Sequence, residues 1–299
     1  MTKEKTMAKT SFEGPVRSKG GYKIYSVATS TGVDADRTVH DLGIKDTRRY
    51  YLEEYFNHLP GLNANLASTT ESVNTPVNRS FELLGANMTS ALATYSATVA
   101  GMTLTTATTD EDQAIVLPHL DTKQGAWTGT KWGTENQVHW EAGVRTSSAI
   151  DNQKIWAGLK LTNDQLIATD ADQAFFLFET DGDNGTALTS FANWHFVHSI
   201  NGTDYISDLQ IAVAASTNYH FKIVFDSDRK LSIFVNGVQY NITSTSGSTG
   251  GTDVTTGTTK SAAMKNDIDL IPYVGIECGA GAAEAVNVHY VACSRNVYE

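Results

Sequence analysis

The chain has 299 residues, of which 40% are hydrophobic and 18% charged, with 24 Gly against 5 Pro; this excludes a disordered chain and favours strands and tight turns over long helices. With 22 Lys and Arg against 33 Asp and Glu the net charge is −11, which would repel a phosphate backbone and argues against a nucleic-acid partner. No run approaches the roughly 18 apolar residues of a membrane span and the start lacks an apolar signal-peptide core, so no membrane partner is expected and synthesis is placed in a cytoplasm.

The charge is unevenly spread. The first 49 residues carry ten basic and six acidic groups, net +4, against net −15 for the rest, so residues 1–45 read as an extended basic arm. Arg17, Lys19, Lys23 and Arg37 are its candidate attachment residues, and Tyr22, Ile24 and Ser26 alternate as one short strand would. Residues 46–111 read as a short helix and a connecting segment. Asp46 stands where a helix cap would, Tyr51, Leu52, Tyr55, Phe56 and Leu59 fall on one stripe, and Pro60-Gly61 ends the run. A helix of about 14 residues is marginal alone in water. The stripe therefore needs a partner, either another copy of the chain or the chain's own folded body. A second helix is predicted from Arg79 to Ala91, followed by a Thr-rich strand.

Over residues 112–299 the period changes to two. Val138, Trp140, Ala142 and Val144 alternate with His139, Glu141, Gly143 and Arg145, the pattern of a half-buried strand. Further strands are predicted at Ile155 to Leu161, Ala174 to Glu179, Trp194 to Ile200, Tyr219 to Phe225, Leu231 to Val235, Val238 to Ile242, Ile271 to Cys278 and Ala285 to Cys293. Asn236-Gly237 between two alternating runs signals a hairpin. Short strands with turns between them, uninterrupted by long helical runs, argue a sandwich or barrel. Lys131, Lys154 and Lys222 read as edge-strand lysines that discourage stray pairing. Cys278 and Cys293, the only two cysteines, show no metal-ligand spacing, and a hairpin turning near Gly281 would not bring them opposite each other.

The meander from Tyr219 to Tyr240, with Asn-Gly after Phe-Val, resembles that of concanavalin-like, laminin-G-like jelly rolls, as do the closing Pro-Tyr-Val-Gly-Ile-Glu-Cys and Glu-Ala-Val-Asn-Val-His-Tyr-Val. The expected fold is therefore mainly β: a jelly-roll sandwich preceded by an extended arm and a short helical segment. Phe-Glu-Gly-Pro-Val-Arg-Ser (Phe12 to Ser18), with Trp132 to Val138, Ile155 to Thr162 and Asn266 to Gly275, resembles segments of structural proteins of marine and cyanobacterial tailed phages. That resemblance implies a virion component, a capsid-exterior decoration or a fibre, partnered by other virion proteins. It also implies a homo-oligomer, a trimer before a dimer, with Tyr51, Leu52, Tyr55, Phe56 and Leu59 in the shared interface.

Jelly rolls of this kind include glycosidases with a Glu-x-Asp-x-x-Glu strand, and Glu179, Asp181 and Asn184 occupy that spacing here. An amide in the third place can act neither as acid nor as base, so the two-carboxylate mechanism lacks a partner and no enzyme is expected. Asp170, Asp172, Asp181 and Asp183 offer hard oxygen ligands and are weak calcium candidates, although the EF-hand pattern fails at Gly185 and Ala192. His195 and His198, three apart on a strand, project to opposite faces. No phosphate loop or nucleophile elbow occurs, and no cofactor is expected. Trp127, Trp132, Tyr205 and Tyr240 could stack on sugar rings or fill a core. The leading expectation is a non-enzymatic virion structural protein attached by its arm. The alternatives are a fibre or lectin domain that binds host-surface glycans, and a glycoside-hydrolase relative.

Overall fold

The computed structural model describes residues 49–62, 81–95, 100–118, 132–188, 190–247, 250–279 and 281–296. In chain order the strands are β1 (Arg49–Glu54), β2 (Gly61–Leu62), β3 (Glu82–Leu84), β4 (Ala93–Tyr95), β5 (Met102–Thr105), β6 (Gln113–Leu117), β7 (Trp132–Gly133), β8 (His139–Thr146) and β9 (Gln153–Lys160). They continue as β10 (Gln173–Glu179), β11 (Asn193–Ile200), β12 (Thr203–Ala212), β13 (Asn218–Phe225), β14 (Leu231–Val235), β15 (Val238–Tyr240), β16 (Thr252–Asp253), β17 (Asp269–Cys278) and β18 (Ala285–Asn296). An eight-stranded sheet runs β15-β14-β13-β8-β18-β5-β4, with β1 also on β18; a ten-stranded sheet runs β16-β12-β11-β10-β9-β17-β6-β3-β2, with β7 on β17.

Alternation along the strands sends one set of side chains between the sheets. Trp140, Phe221 and Ile233 from the eight-stranded sheet meet Phe176, Trp194 and Val274 from the other, and the Phe176 and Phe221 rings stack at 4.5 Å between centroids. The result is the jelly-roll sandwich expected from the sequence. The β13-β14-β15 meander forms with Ile223 opposite Ile233 and Ile233 opposite Tyr240. Asn236 and Gly237 both adopt positive φ, as a tight hairpin turn requires.

The helix expected after Asp46 is not formed. Residues 49–54 are β1, antiparallel to β18 from Arg49 opposite Asn296 to Glu54 opposite Val291. The reason lies in β18, whose far edge is taken by β5 only over Ala285 to Val288. Its remaining backbone groups need partners, and β1, where Tyr50 and Leu52 also alternate inward, supplies them. Arg49 fastens this edge, donating from Nη1 to Asn296 Oδ1 at 2.8 Å and from Nη2 to the Gln137 carbonyl at 2.7 Å. Leu52 and Phe56 lie in the chain's own core and Leu59 packs against it, so the five residues do not form one helical face, and Tyr55 alone of them is exposed. The sandwich thus takes in strands well before residue 112.

Three other expectations are corrected. The second helix is replaced by β3 and a short 3-10 turn at Ser90–Leu92; Gly85, which ends β3, lies so close to β6 that a Cβ there would stand 1.9 Å from the Gln113 carbonyl oxygen. The chain between Cys278 and Ala285 is not a hairpin, since β17 and β18 belong to different sheets, and both cysteines are free and buried. Lys154 and Lys222 are not edge residues: β9 lies between β10 and β17, and β13 between β14 and β8. Lys131 lies outside the described residues.

Candidate functional site

The two sheets treat their outer faces differently. On the ten-stranded sheet that face carries a second apolar layer of Trp156, Phe175, Leu177, Val197 and Tyr273, packed under Ile167, Ala187 and Leu188 from the 161–172 and 180–192 connections. Polar side chains on the same strand faces are therefore buried and must find partners inside.

Lys154 is the centre of one such group. Its Nζ is 2.7 Å from Glu277 Oε1, 2.7 Å from Asp183 Oδ2 and 3.7 Å from Asp181 Oδ2. The other oxygen of Glu277 accepts from Gln113 Nε2 and, at 2.6 Å, from Gln165 Nε2. Burial pulls the Lys154 ammonium pKa down, but Glu277 and Asp183 outweigh it and the net shift is upward. Burial pushes Glu277 up, and it lifts Asp181 to about 6 against the pull of Lys154, with Asp183 and Glu179 adding to the rise. Lys160, on the same face of β9, has its Nζ 3.2 Å from Asp170 Oδ2, hydrogen-bonds Gln173 Oε1 and lies over the Phe175 ring. Burial lowers its pKa in spite of Asp170.

The calcium candidates are thus divided. Asp181 and Asp183 do come together, with Glu277 completing a set of three carboxylates, but the Lys154 ammonium stands among them and supplies the cation. Asp170 is held by Lys160 and by Thr162, whose N and Oγ1 both donate to it. Asp172 accepts from the Asn201 amide at 3.1 Å. Glu179 accepts from both the backbone N and the side-chain Nδ2 of Asn184, while Asn184 Oδ1 accepts from the Ile167 amide. The segment that spaces like a glycosidase strand is a turn in which Glu179 ties the loop down.

His195 and His198 are both buried; His195 Nε2 is 3.7 Å from Asp208 Oδ2, and His198 stacks on Tyr205 at 4.7 Å. Burial holds the His198 pKa down to about 3. Of the aromatics singled out from the sequence, Trp132 is in the core, Tyr205 covers His198, Tyr240 packs against the core, and Trp127 lies outside the described residues. Arg17, Lys19, Lys23 and Arg37 lie outside them as well.

Among the described residues, the outer face of the eight-stranded sheet has no apolar roof and stays half-open. A bulge in β18 between Val288 and Tyr290 shifts the alternation, so that Val286 and Val288 before it and Val291 and Cys293 after it all point inward. Tyr290 is thereby turned outward, opposite Gly143 of β8. Its ring lies across that glycine, where a Cβ would come within 2.8 Å of Tyr290 Cε1. On one side Tyr55, 54% exposed, stands 5.7 Å from Tyr290 between centroids with planes 29° apart; on the other, His220 stands 5.9 Å away at 36°. Around this row of rings lie Glu141, Lys222, Asn218 and His289. Glu141 accepts from Lys222 at 2.9 Å and pairs with His220 at 3.4 Å. Burial would raise the Glu141 pKa, but His220 and Lys222 carry it down to about 2. The sequence held one signal for this site: Tyr290 facing Gly143 follows once β8 and β18 are paired, but that pairing is not local.

No family model and no curated protein matches the chain. Among solved structures, a protein of unknown function from Shewanella oneidensis MR-1 is similar at 12% identity over 90% of this chain and 97% of that one, with a TM-score of 0.48. Peanut lectin is similar at 11% identity over 84% and 99% of the two chains, TM-score 0.45. A family 16 glycoside hydrolase endo-glucanase from Bacteroides ovatus is similar at 7% identity over 73% and 96%, TM-score 0.45. The sheet order and register, rather than these likenesses, carry the fold.

Proposed function

We propose that this protein is a non-hydrolytic glycan-binding sandwich whose site is the row Tyr55, Tyr290 and His220. The observation that carries the reading is this run of three rings on a half-open sheet face, rimmed by groups that can both donate and accept hydrogen bonds. Sugars present apolar C–H faces edged by hydroxyls, and rings beside polar side chains match both halves of that surface. The rings span 5.7 and 5.9 Å between successive centroids, room for a short stretch of a chain rather than a single sugar.

Hydrolysis is a poorer reading. A glycosidase places one acid and one carboxylate on either side of the bond it cleaves, whereas Glu179 is tied by Asn184 and Glu277 by Lys154, Gln113 and Gln165. The wider setting, a phage particle joined through Arg17, Lys19, Lys23 and Arg37, belongs to this proposal on the strength of the Phe12 to Ser18 resemblance alone. A glycan array with the full chain tests the central part: binding to a polysaccharide that falls about tenfold on Tyr290→Ala, with no reducing ends released, supports it. An array without hits, or hits indifferent to Tyr290, would sink it. For the setting, a chain lacking residues 1–42 should stay folded and no longer join particles.

A further inference from the structure

The Lys154 group holds more than an ion pair needs. A buried amine, a buried carboxyl and a second buried carboxyl that touches the amine are the parts of an amide-forming centre. Lys154 and Glu277 side chains are 0% exposed and Asp181 6%. Asp181 Oδ2 is buried without a hydrogen bond, 3.7 Å from Lys154 Nζ, while Glu277 Oε1 stands 2.7 Å from the same nitrogen. Asp183 hydrogen-bonds Nζ at 2.7 Å, but its side chain is 36% exposed and open to water.

We propose that Lys154 and Asp181 condense into an intramolecular isopeptide bond, with Glu277 as the proton relay. Glu277 takes a proton from the Lys154 ammonium; the freed Nζ lone pair attacks Cγ of the protonated Asp181 carboxyl. Glu277 then passes that proton to the departing hydroxyl, which leaves as water, and takes the second proton that the nitrogen sheds as it becomes the amide N–H, so that Glu277 ends protonated. One C–N bond forms, one C–O bond breaks and one water leaves, with no oxidant or other reactant required. Burial disfavours the charged form of the acid and excludes the water that would reverse the step, while the carboxylates around Lys154 hold its proton on, so the step depends on Glu277, 2.7 Å from Nζ, to take it. Fixed proximity supplies the effective concentration that free amines and acids lack. The upward pKa of Asp181 accords with a carboxyl that can hold the proton. The bond would join β9 to the turn after β10, next to the Lys154–Glu179 pair of the register.

The test is mass spectrometry of the full chain, followed by protease mapping. The expected result is a mass lower than the sequence by one water and a branched peptide joining Lys154 to Asp181. Lys154→Arg and Asp181→Asn should restore the full mass in protein still β-rich by circular dichroism, Glu277→Gln should abolish or greatly slow the loss, and Asp183→Asn should keep it. A full-mass wild type that is folded overturns the proposal. So does a water loss without a branched peptide, which is succinimide formation at Asp181-Gly182, and so does a branch that Glu277→Gln leaves at full yield.

Discussion

The outer faces of the two sheets have solved the same problem in opposite ways. On the ten-stranded sheet the face is roofed by connections, and its lysines and carboxylates are forced into closed groups around Lys154 and Lys160. On the eight-stranded sheet the face stays half-open, and its charges, Glu141 with Lys222 and His220, rim a row of rings instead of being sealed. The lesson concerns where function can sit. A polar group fully satisfied inside the protein has little left to offer a ligand, whereas half-exposed rings and side chains still do.

The largest expected effect follows from the closed face. Where Lys154 is a free amine, Lys154→Ala leaves Glu277 buried without its cation and should cost about 3–5 kcal/mol, against about 0–1 kcal/mol for Lys222→Ala on the open face. Urea unfolding of both variants reads the contrast; equal losses would break it. Next is β1, where Leu52→Ala should cost about 2–5 kcal/mol by opening the core, whereas Tyr55→Ala, one residue past the strand and 54% exposed, should stay within about 0.5 kcal/mol. A stripe at an oligomer interface would instead make both variants change the assembly seen by light scattering.

Acid should act on the two faces with opposite sign. Asp181 has a folded pKa of about 6 against an ordinary 3.8, so the folded state binds the extra proton, and this group's contribution falls as pH rises from near 4 to 6. Glu141 has a folded pKa of about 2 against an ordinary 4.5, so its contribution is present above 4.5 and lost as pH falls towards 2. Asp181→Asn should remove the first limb and Glu141→Gln the second in stability measured against pH; this comparison applies to chains in which Asp181 remains a free carboxyl. The smallest effect is Gly143→Ala. The added methyl must push the Tyr290 ring aside, so glycan affinity should fall a few-fold while the melting temperature moves little.

Much of the sandwich could be read from local pattern, because β8 and β13 alternate, β9, β10 and β17 read as short apolar runs bounded by turns, and Asn236-Gly237 marks its turn. What escaped was non-local. Residues 49–59 fit a helical stripe and a strand equally well, and only the open edge of β18, 245 residues away from Arg49 to Ser294, decides between them. The same distance hid the row of rings: Tyr55 was visible as an apolar residue, but not its neighbour Tyr290, turned outward by a bulge. Lys154 looked like an edge guard because nothing nearby in sequence announces Glu277, 123 residues on.

The central claim, that the open face binds glycan and the closed face does not act on it, is tested most directly by calorimetric titration with the best oligosaccharide from the array. Three chains suffice: the natural one, the Tyr55→Ala Tyr290→Ala double variant, and Phe191→Ala, which removes an exposed ring outside the row. Saturable binding is expected from the natural chain and from Phe191→Ala, with a loss of at least tenfold in the double variant and an unchanged oligosaccharide recovered at the end. Equal affinity in all three, or cleaved sugar in the cell, would contradict it.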